Sequence, residues 1–264
     1  MSRTILITGA TDGIGLLTAK TLAAEGHNVL LHGRSADKLV AAAREVGGTP
    51  ETYRADLADF AEVEAMAQEI LARHSRLDVL INNAGVLKTP NTRTANGQDV
   101  RFVVNTIAPY VLTQRLLPII PPEGRVVNLS SAAQAPVDVD ALRGKRSLGD
   151  MDAYAQSKLA ITIWTQELAK THPNGPVFVA VNPGSLLASK MVKEGFGVSG
   201  NDLSIGADIL RRAALSDDFA NATGRYFDND SRRFASPNPA ASHPDHVADV
   251  MRAIRDFSAR DTAT

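Results

Sequence analysis

The chain has no cysteine. That excludes disulfides, thiolate nucleophiles and cysteine-ligated metals, and it suits a reducing compartment. Missing too is any apolar run near the ~20 residues that a membrane-spanning helix needs. The N-terminus, Met-Ser-Arg-Thr, runs straight into Ile5-Leu6-Ile7 and has none of the parts of a secretory leader. A cytoplasmic location is therefore expected. Charge of one sign is scarce: 28 basic and 29 acidic residues give a formal net charge of −1. Neither nucleic acid nor an anionic membrane is expected as a partner. The six histidines show no spacing suited to a catalytic metal, and none is expected. What is there is an ordinary composition, 44% apolar and 22% charged over 264 residues, enough to bury a core without staples.

Short apolar runs alternate with longer stretches of helical periodicity. Strands are expected at residues 4–8, 29–32, 52–55, 79–82, 125–129 and 177–182, with a short last one at 225–227. Helices are expected over 14–25, 37–46, 60–74, 101–117, 154–171 and 247–257. Residues 190–202 and 228–243, rich in Gly, Ser, Asn and Pro, read as loops. Continuous apolar strands interleaved with amphipathic helices predict an α/β fold. The expected architecture is a single doubly wound parallel sheet of about seven strands, flanked by helices on both faces, with residues 1–264 as one domain. Ligands of such sheets bind beyond the carboxyl ends of the strands, where the strand order reverses.

Thr8-Gly9-Ala10-Thr11-Asp12-Gly13-Ile14-Gly15 joins the first strand to the first helix. Gly9 permits a tight turn, Gly13 a close approach of backbone to a pyrophosphate, and Gly15 close packing of helix on sheet. The helix N-terminus adds free N–H groups and partial positive charge. Thr11, Asp12 and Ile14 belong to the same candidate site, although Asp12 also suits a simple helix cap. The second strand ends in His32-Gly33-Arg34-Ser35, with no acid to accept from a ribose 2′-hydroxyl. Arg34 offers a planar charged fork to a 2′-phosphate, and Ser35 a hydroxyl. NADP(H) is the expected cofactor, ahead of NAD(H).

Further motifs follow in order. Asp56-Leu57 comes after the third strand and Asn82-Asn83-Ala84-Gly85 after the fourth. Asn105 lies in the long helix, Ser130-Ser131 closes the fifth strand, Tyr154 and Lys158 form a YxxxK, and Pro183-Gly184 follows the sixth strand. With the glycine turn, this series over about residues 4–190 resembles the short-chain dehydrogenase/reductase family. The resemblance implies a Rossmann-type sheet and places Asp56 and Leu57 near an adenine ring. It also implies cofactor contacts from Asn83, Ala84, Gly85, Pro183 and Gly184, with Ser189 as the candidate for a further hydroxyl contact. It selects Ser131 over Ser130 as the catalytic serine, and gives Lys158 a hydrogen bond to the nicotinamide ribose. Asn105 is expected either to hold a relay water for Lys158 or to kink the helix and satisfy backbone.

Chemistry then assigns the roles. Tyr154 and Lys158 are four apart on a helix and share a face. A free phenol has a pKa of about 10, so its use as a base near neutrality needs roughly 3 units, or about 4 kcal/mol, of phenolate stabilisation. Lys158 and an oxidised nicotinamide supply positive charge for that purpose. Tyr154 is thus the expected general acid and base, with Ser131 holding the substrate oxygen. The 23 residues from Ser131 to Tyr154 exceed the usual family spacing. The extra stretch, about 136–152, resembles the retinol-dehydrogenase-like and carbonyl-reductase branch, as does Thr223-Gly224-Arg225-Tyr226-Phe227. It reads either as a rim over the active site or as a polar surface decoration, and leaves monomer and homodimer open. A substrate loop is expected at about 185–202. Val86, Leu87, Ala132, Ala133, Gln134, Leu186, Leu187 and residues 191–196 are candidates for the substrate wall, suited to a hydrophobic aldehyde, ketone or alcohol. The other reading of the chain is an NADP(H)-binding sensor or regulatory protein on the same fold.

Overall fold

The computed structural model describes residues 2–185, 187 and 200–260. Leu186, Ser189 and residues 191–196, named above for the cofactor and substrate walls, lie outside that set. The strands are Thr4–Ile7 (β1), Asn28–Gly33 (β2), Thr52–Arg54 (β3), Val79–Asn82 (β4), Arg125–Leu129 (β5), Val177–Asn182 (β6), Arg225–Asp228 (β7) and Arg233–Ala235 (β8). They form one sheet in the order β3-β2-β1-β4-β5-β6-β7-β8, parallel except for the β7–β8 pair. The order reverses at β1, which pairs with β2 on one side and β4 on the other. That divergence opens a crevice at the carboxyl ends of the strands.

The pleat divides β1 between two cores. Leu6 joins one apolar cluster, and Ile5 and Ile7 join the other. Gly13–Ala24 (α1) and Ala36–Val46 (α2) cover one face. Phe60–Arg73 (α3), Ala108–Leu116 (α5), Asp150–Thr171 (α7) and Pro244–Arg260 (α9) cover the other. Trp164 on α7 is fully buried, with its ring edge against Tyr110 at 5.7 Å and its Nε1 donating to Thr106 O at 3.2 Å.

Four features depart from the sequence expectation. Among the described residues the strand count is eight, because Phe234 on β8 packs against Phe219 and Phe227 at 5.3 and 5.1 Å and draws an antiparallel edge out of an expected loop. A helix at Leu203–Leu215 (α8), where none is expected, packs beside α1. The long helix over 101–117 is interrupted: Val100–Phe102 (α4) is α-helical, Val103–Ile107 widens to π geometry, and α5 then resumes the α pitch. The widened turn contains Asn105 and Thr106, whose side chains bond to Ser157 on α7. Finally, α7 begins at Asp150, a turn before Tyr154, with Asp150 and Asp152 favourably placed at its positive end.

The stretch 136–152 is more than a polar decoration. It holds a short helix, Val139–Leu142 (α6), and Val137, Ala141 and Leu142 are buried in the same cluster as Val250, Ile254 and Phe257 of α9. Its far end is tied down by the buried Arg101, which grips Asp99 through two hydrogen bonds of 2.7 and 2.6 Å and also contacts Asp150. Among the described residues, no helix is long and apolar enough to cross a membrane.

Candidate active site

A cleft of about 690 Å³ runs along the carboxyl ends of the strands. It is walled by Gly9, Thr11, Asp12, Gly13, Ile14 and Gly15 and by Tyr154, Lys158, Pro183 and Gly184. Arg34, Ser35, Asp56 and Leu57 line it too, and Asn83, Ala84 and Gly85 form part of its wall. Motifs spread over most of the chain thus face one space. Ser131 and Asn105 are not among the residues of the wall, whereas Ser130 is.

The glycine turn is built for close approach. Gly9 and Gly13 have φ of 66° and 56°, in the left-handed region. A Cβ on Gly15 would lie 2.3 Å from Gly9 O. Asp12 caps α1, its Oδ1 accepting from Gly13 N at 2.7 Å. Asn83 braces the turn from β4: its Nδ2 donates to Thr8 O and Gly9 O at 2.9 and 3.0 Å. Thr8 Oγ1 accepts in return from the backbone of Asn83 and Ala84 at 3.0 and 3.1 Å.

Arg34 is exposed on the rim and makes no ion pair among the described residues. Ser35 caps α2, accepting from Lys38 N at 3.4 Å. Asp56 closes the next turn by accepting from Ala58 N at 2.9 Å, while its own N–H donates to Glu62 at 2.7 Å. Pro183-Gly184 is held by a polar clamp from the β7 end. Asn182 Oδ1 accepts from Gly184 N at 3.2 Å, and its Nδ2 donates to Asp228 and Asp230 at 2.8 and 2.9 Å.

The two serines separate by environment. Ser130 is buried and its hydroxyl is committed to Lys158 O and Thr162 at 3.0 and 2.7 Å. Ser131 is the one whose side chain acts on the Tyr154 hydroxyl, lowering its pKa, and its own Oγ accepts from Ala133 N at 3.1 Å. Its carbonyl is fixed by Gln134 Nε2 at 2.9 Å and the Tyr226 hydroxyl at 3.1 Å. Burial pushes the Tyr154 phenol above its ordinary value, and the Ser131 contact partly opposes this. Lys158 is 4% exposed; its Nζ donates to Leu129 O at 2.8 Å and sits 5.6 Å from the centre of the Tyr154 ring. Burial lowers its ammonium to about 8.

Asn105 is 1% exposed and its amide is heavily committed. Oδ1 accepts from Val86 N at 2.7 Å, and Nδ2 donates to Val86 O and Ser157 Oγ, both at 2.9 Å. The side chain therefore satisfies backbone and stitches the loop after β4 to α7. Val86 and Leu187 line the cleft, whereas Leu87, 2% exposed, packs into the interior. Lys38, Lys88 and His32 also line the cleft and were not singled out by sequence. A lysine in a surface turn gives no signal by itself, and a lone histidine in an apolar strand gives little more.

A family model for short chain dehydrogenases matches residues 3–196. Human retinol dehydrogenase 13 is 31% identical over 262 residues, covering 89% of this chain and 78% of that protein. Mouse retinol dehydrogenase 12 is 33% identical over 253 residues, covering 89% and 80%. Among solved structures, an uncharacterised protein from Mycobacterium paratuberculosis superposes with a TM-score of 0.82 at 28% identity, covering 97% of this chain and 93% of its own. A short chain dehydrogenase from Escherichia coli CFT073, complexed with NADPH, gives a TM-score of 0.68 at 31% identity, covering 86% and 96%. With a family model matched over most of its length and relatives of this kind, the chain belongs to the short chain dehydrogenase family of oxidoreductases.

Proposed function

We propose that the protein interconverts a hydrophobic aldehyde or ketone and its alcohol, using NADP(H), with Tyr154 as general acid and base. The observation that carries this reading is one cleft lined by the glycine turn and Arg34 together with Tyr154 and Lys158. The residues present fit a dinucleotide: Gly9, Gly13 and Gly15 line the cleft with no side chain, Gly9 and Gly13 hold left-handed φ, and Arg34 is free to meet a 2′-phosphate. Bound there, the nicotinamide supplies or accepts the hydride.

The chain's own residues handle the proton. With its pKa raised, the Tyr154 hydroxyl keeps its proton at neutral pH, the form needed to protonate a carbonyl oxygen during reduction. Ser131 stands beside that hydroxyl to hold the same oxygen. The Lys158 ammonium stabilises the phenolate left behind. Val86, Val100, Val104 and Leu187 give the wall an apolar character, which favours a hydrophobic substrate.

A screen of carbonyl compounds with NADPH and NADH tests the reading. Turnover of a hydrophobic carbonyl with NADPH is expected; binding without turnover of any compound would favour the sensor. Arg34→Glu should weaken NADPH roughly 10- to 100-fold, the scale of charge-assisted hydrogen bonds, and leave NADH nearly unchanged. Equal losses would remove the 2′-phosphate assignment. The lysine gives a pH signature. Its charge is lost as pH rises through about 8, so the reduction rate should fall on that side. Lys158→Arg, whose guanidinium does not titrate there, should be slower but flat over the same range; a parallel fall would assign the limb to another group.

A further inference from the structure

His32, on β2, is 3% exposed and reaches two of the turns that line the cleft. Its Nδ1 lies 3.1 Å from Gly9 N, in the glycine turn, and its Nε2 lies 3.0 Å from Ala55 O, at the exit of β3. A backbone N–H can only donate and a carbonyl can only accept. Both contacts are met by one species alone, the neutral imidazole with its hydrogen on Nε2. Burial supports that species by pushing the imidazole down to about 4, against the opposing pull of Asp56. The main chain adds a third link, Ala10 N donating to His32 O at 2.9 Å.

The turn is thus gripped from two sides. Asn83 holds the carbonyls of Thr8 and Gly9 from β4, and His32 takes the N–H of Gly9 from β2. Gly9 sits at a φ of 66° with Ala84 so close that a Cβ would come within 2.9 Å of its Cα. We infer that His32 is a positioning residue for the dinucleotide, holding the glycine turn in its binding shape through the Gly9 N–H···Nδ1 contact. This rests on the cofactor reading above.

Two near-isosteres separate the contacts. Asparagine places an oxygen where Nδ1 stands, so His32→Asn keeps the acceptor for Gly9 and loses the donor to Ala55. Glutamine places an amide nitrogen near Nε2, so His32→Gln keeps the Ala55 contact and orphans the Gly9 N–H. Each variant removes one hydrogen bond, so a merely structural role predicts equal effects. The readouts, both on the full chain, are NADPH affinity by fluorescence titration and hydrogen exchange of the Gly9 amide in cofactor-free protein. His32→Gln is expected to weaken NADPH roughly tenfold and to speed Gly9 exchange, while His32→Asn stays near wild type in both. Equal affinity losses in the two variants, or a greater loss in His32→Asn, overturn the assignment. Wild-type protein that binds neither NADPH nor NADH overturns the cofactor reading itself.

Discussion

Tyr154→Phe is expected to lower turnover by roughly 10²–10⁴-fold, with NADPH affinity close to wild type. The substitution deletes one hydroxyl and leaves the ring. That hydroxyl is the group whose pKa the Ser131 side chain lowers, and no other phenol lines the cleft among the described residues. Lys158 does not replace it, because its Nζ is directed to Leu129 O. Stability should fall by about 1 kcal/mol at most, the value of a single hydrogen bond. Steady-state kinetics alongside an NADPH titration make the check. Turnover within about tenfold of wild type, below the ordinary contribution of an acid–base group, would mean that the proton comes from elsewhere.

Gly15→Ala is expected to cost nearly all cofactor affinity and about 3 kcal/mol of stability, the range of forced overpacking. The added methyl would lie 2.3 Å from Gly9 O and 2.5 Å from Asn83 Nδ2. Neither atom can yield alone, since Asn83 Nδ2 itself binds Gly9 O and Thr8 O. Relief requires the turn to open, which spoils the cradle and slackens the junction of β1 with α1. A Tm lower by roughly 5–10 °C should accompany the loss. Gly149→Ala is the control: φ there is −64° and the nearest atom to an added Cβ is Asp152 Oδ2 at 3.6 Å. If both alanines behave alike in melting and titration experiments, crowding at Gly15 is not the cause.

The inner strands were legible because their residues are buried on both faces: β4, β5 and β6 carry near-continuous apolar runs with observed limits equal to the expected ones. Helix α8 was not, because four of its six buried residues are Gly206, Ala207, Ala213 and Ala214, too small to write a strong period. Strand β8 offers one large apolar residue, Phe234, whose partners Phe219 and Phe227 are local only after folding. The π turn has no sequence signature at all; it answers to Ser157, which lies 52 residues from Asn105. The same holds at the site. Tyr154, Lys158 and the glycine turn announce themselves by spacing, whereas the use of His32 depends on Gly9 and Ala55, which only the sheet order brings to it.

Trp164 gives the protein an optical probe of its own. It is the single tryptophan of the chain, and it sits on the same helix as Tyr154, roughly 15 Å further along at the α-helical rise. Its indole, sealed between α7 and the widened turn, emits in the band where reduced nicotinamides absorb. Light absorbed by this one residue can therefore pass to a dinucleotide lying in the cleft. Docking would dim the emission without any label, and unfolding would shift it to the red, so one spectrum separates an empty site from a lost fold.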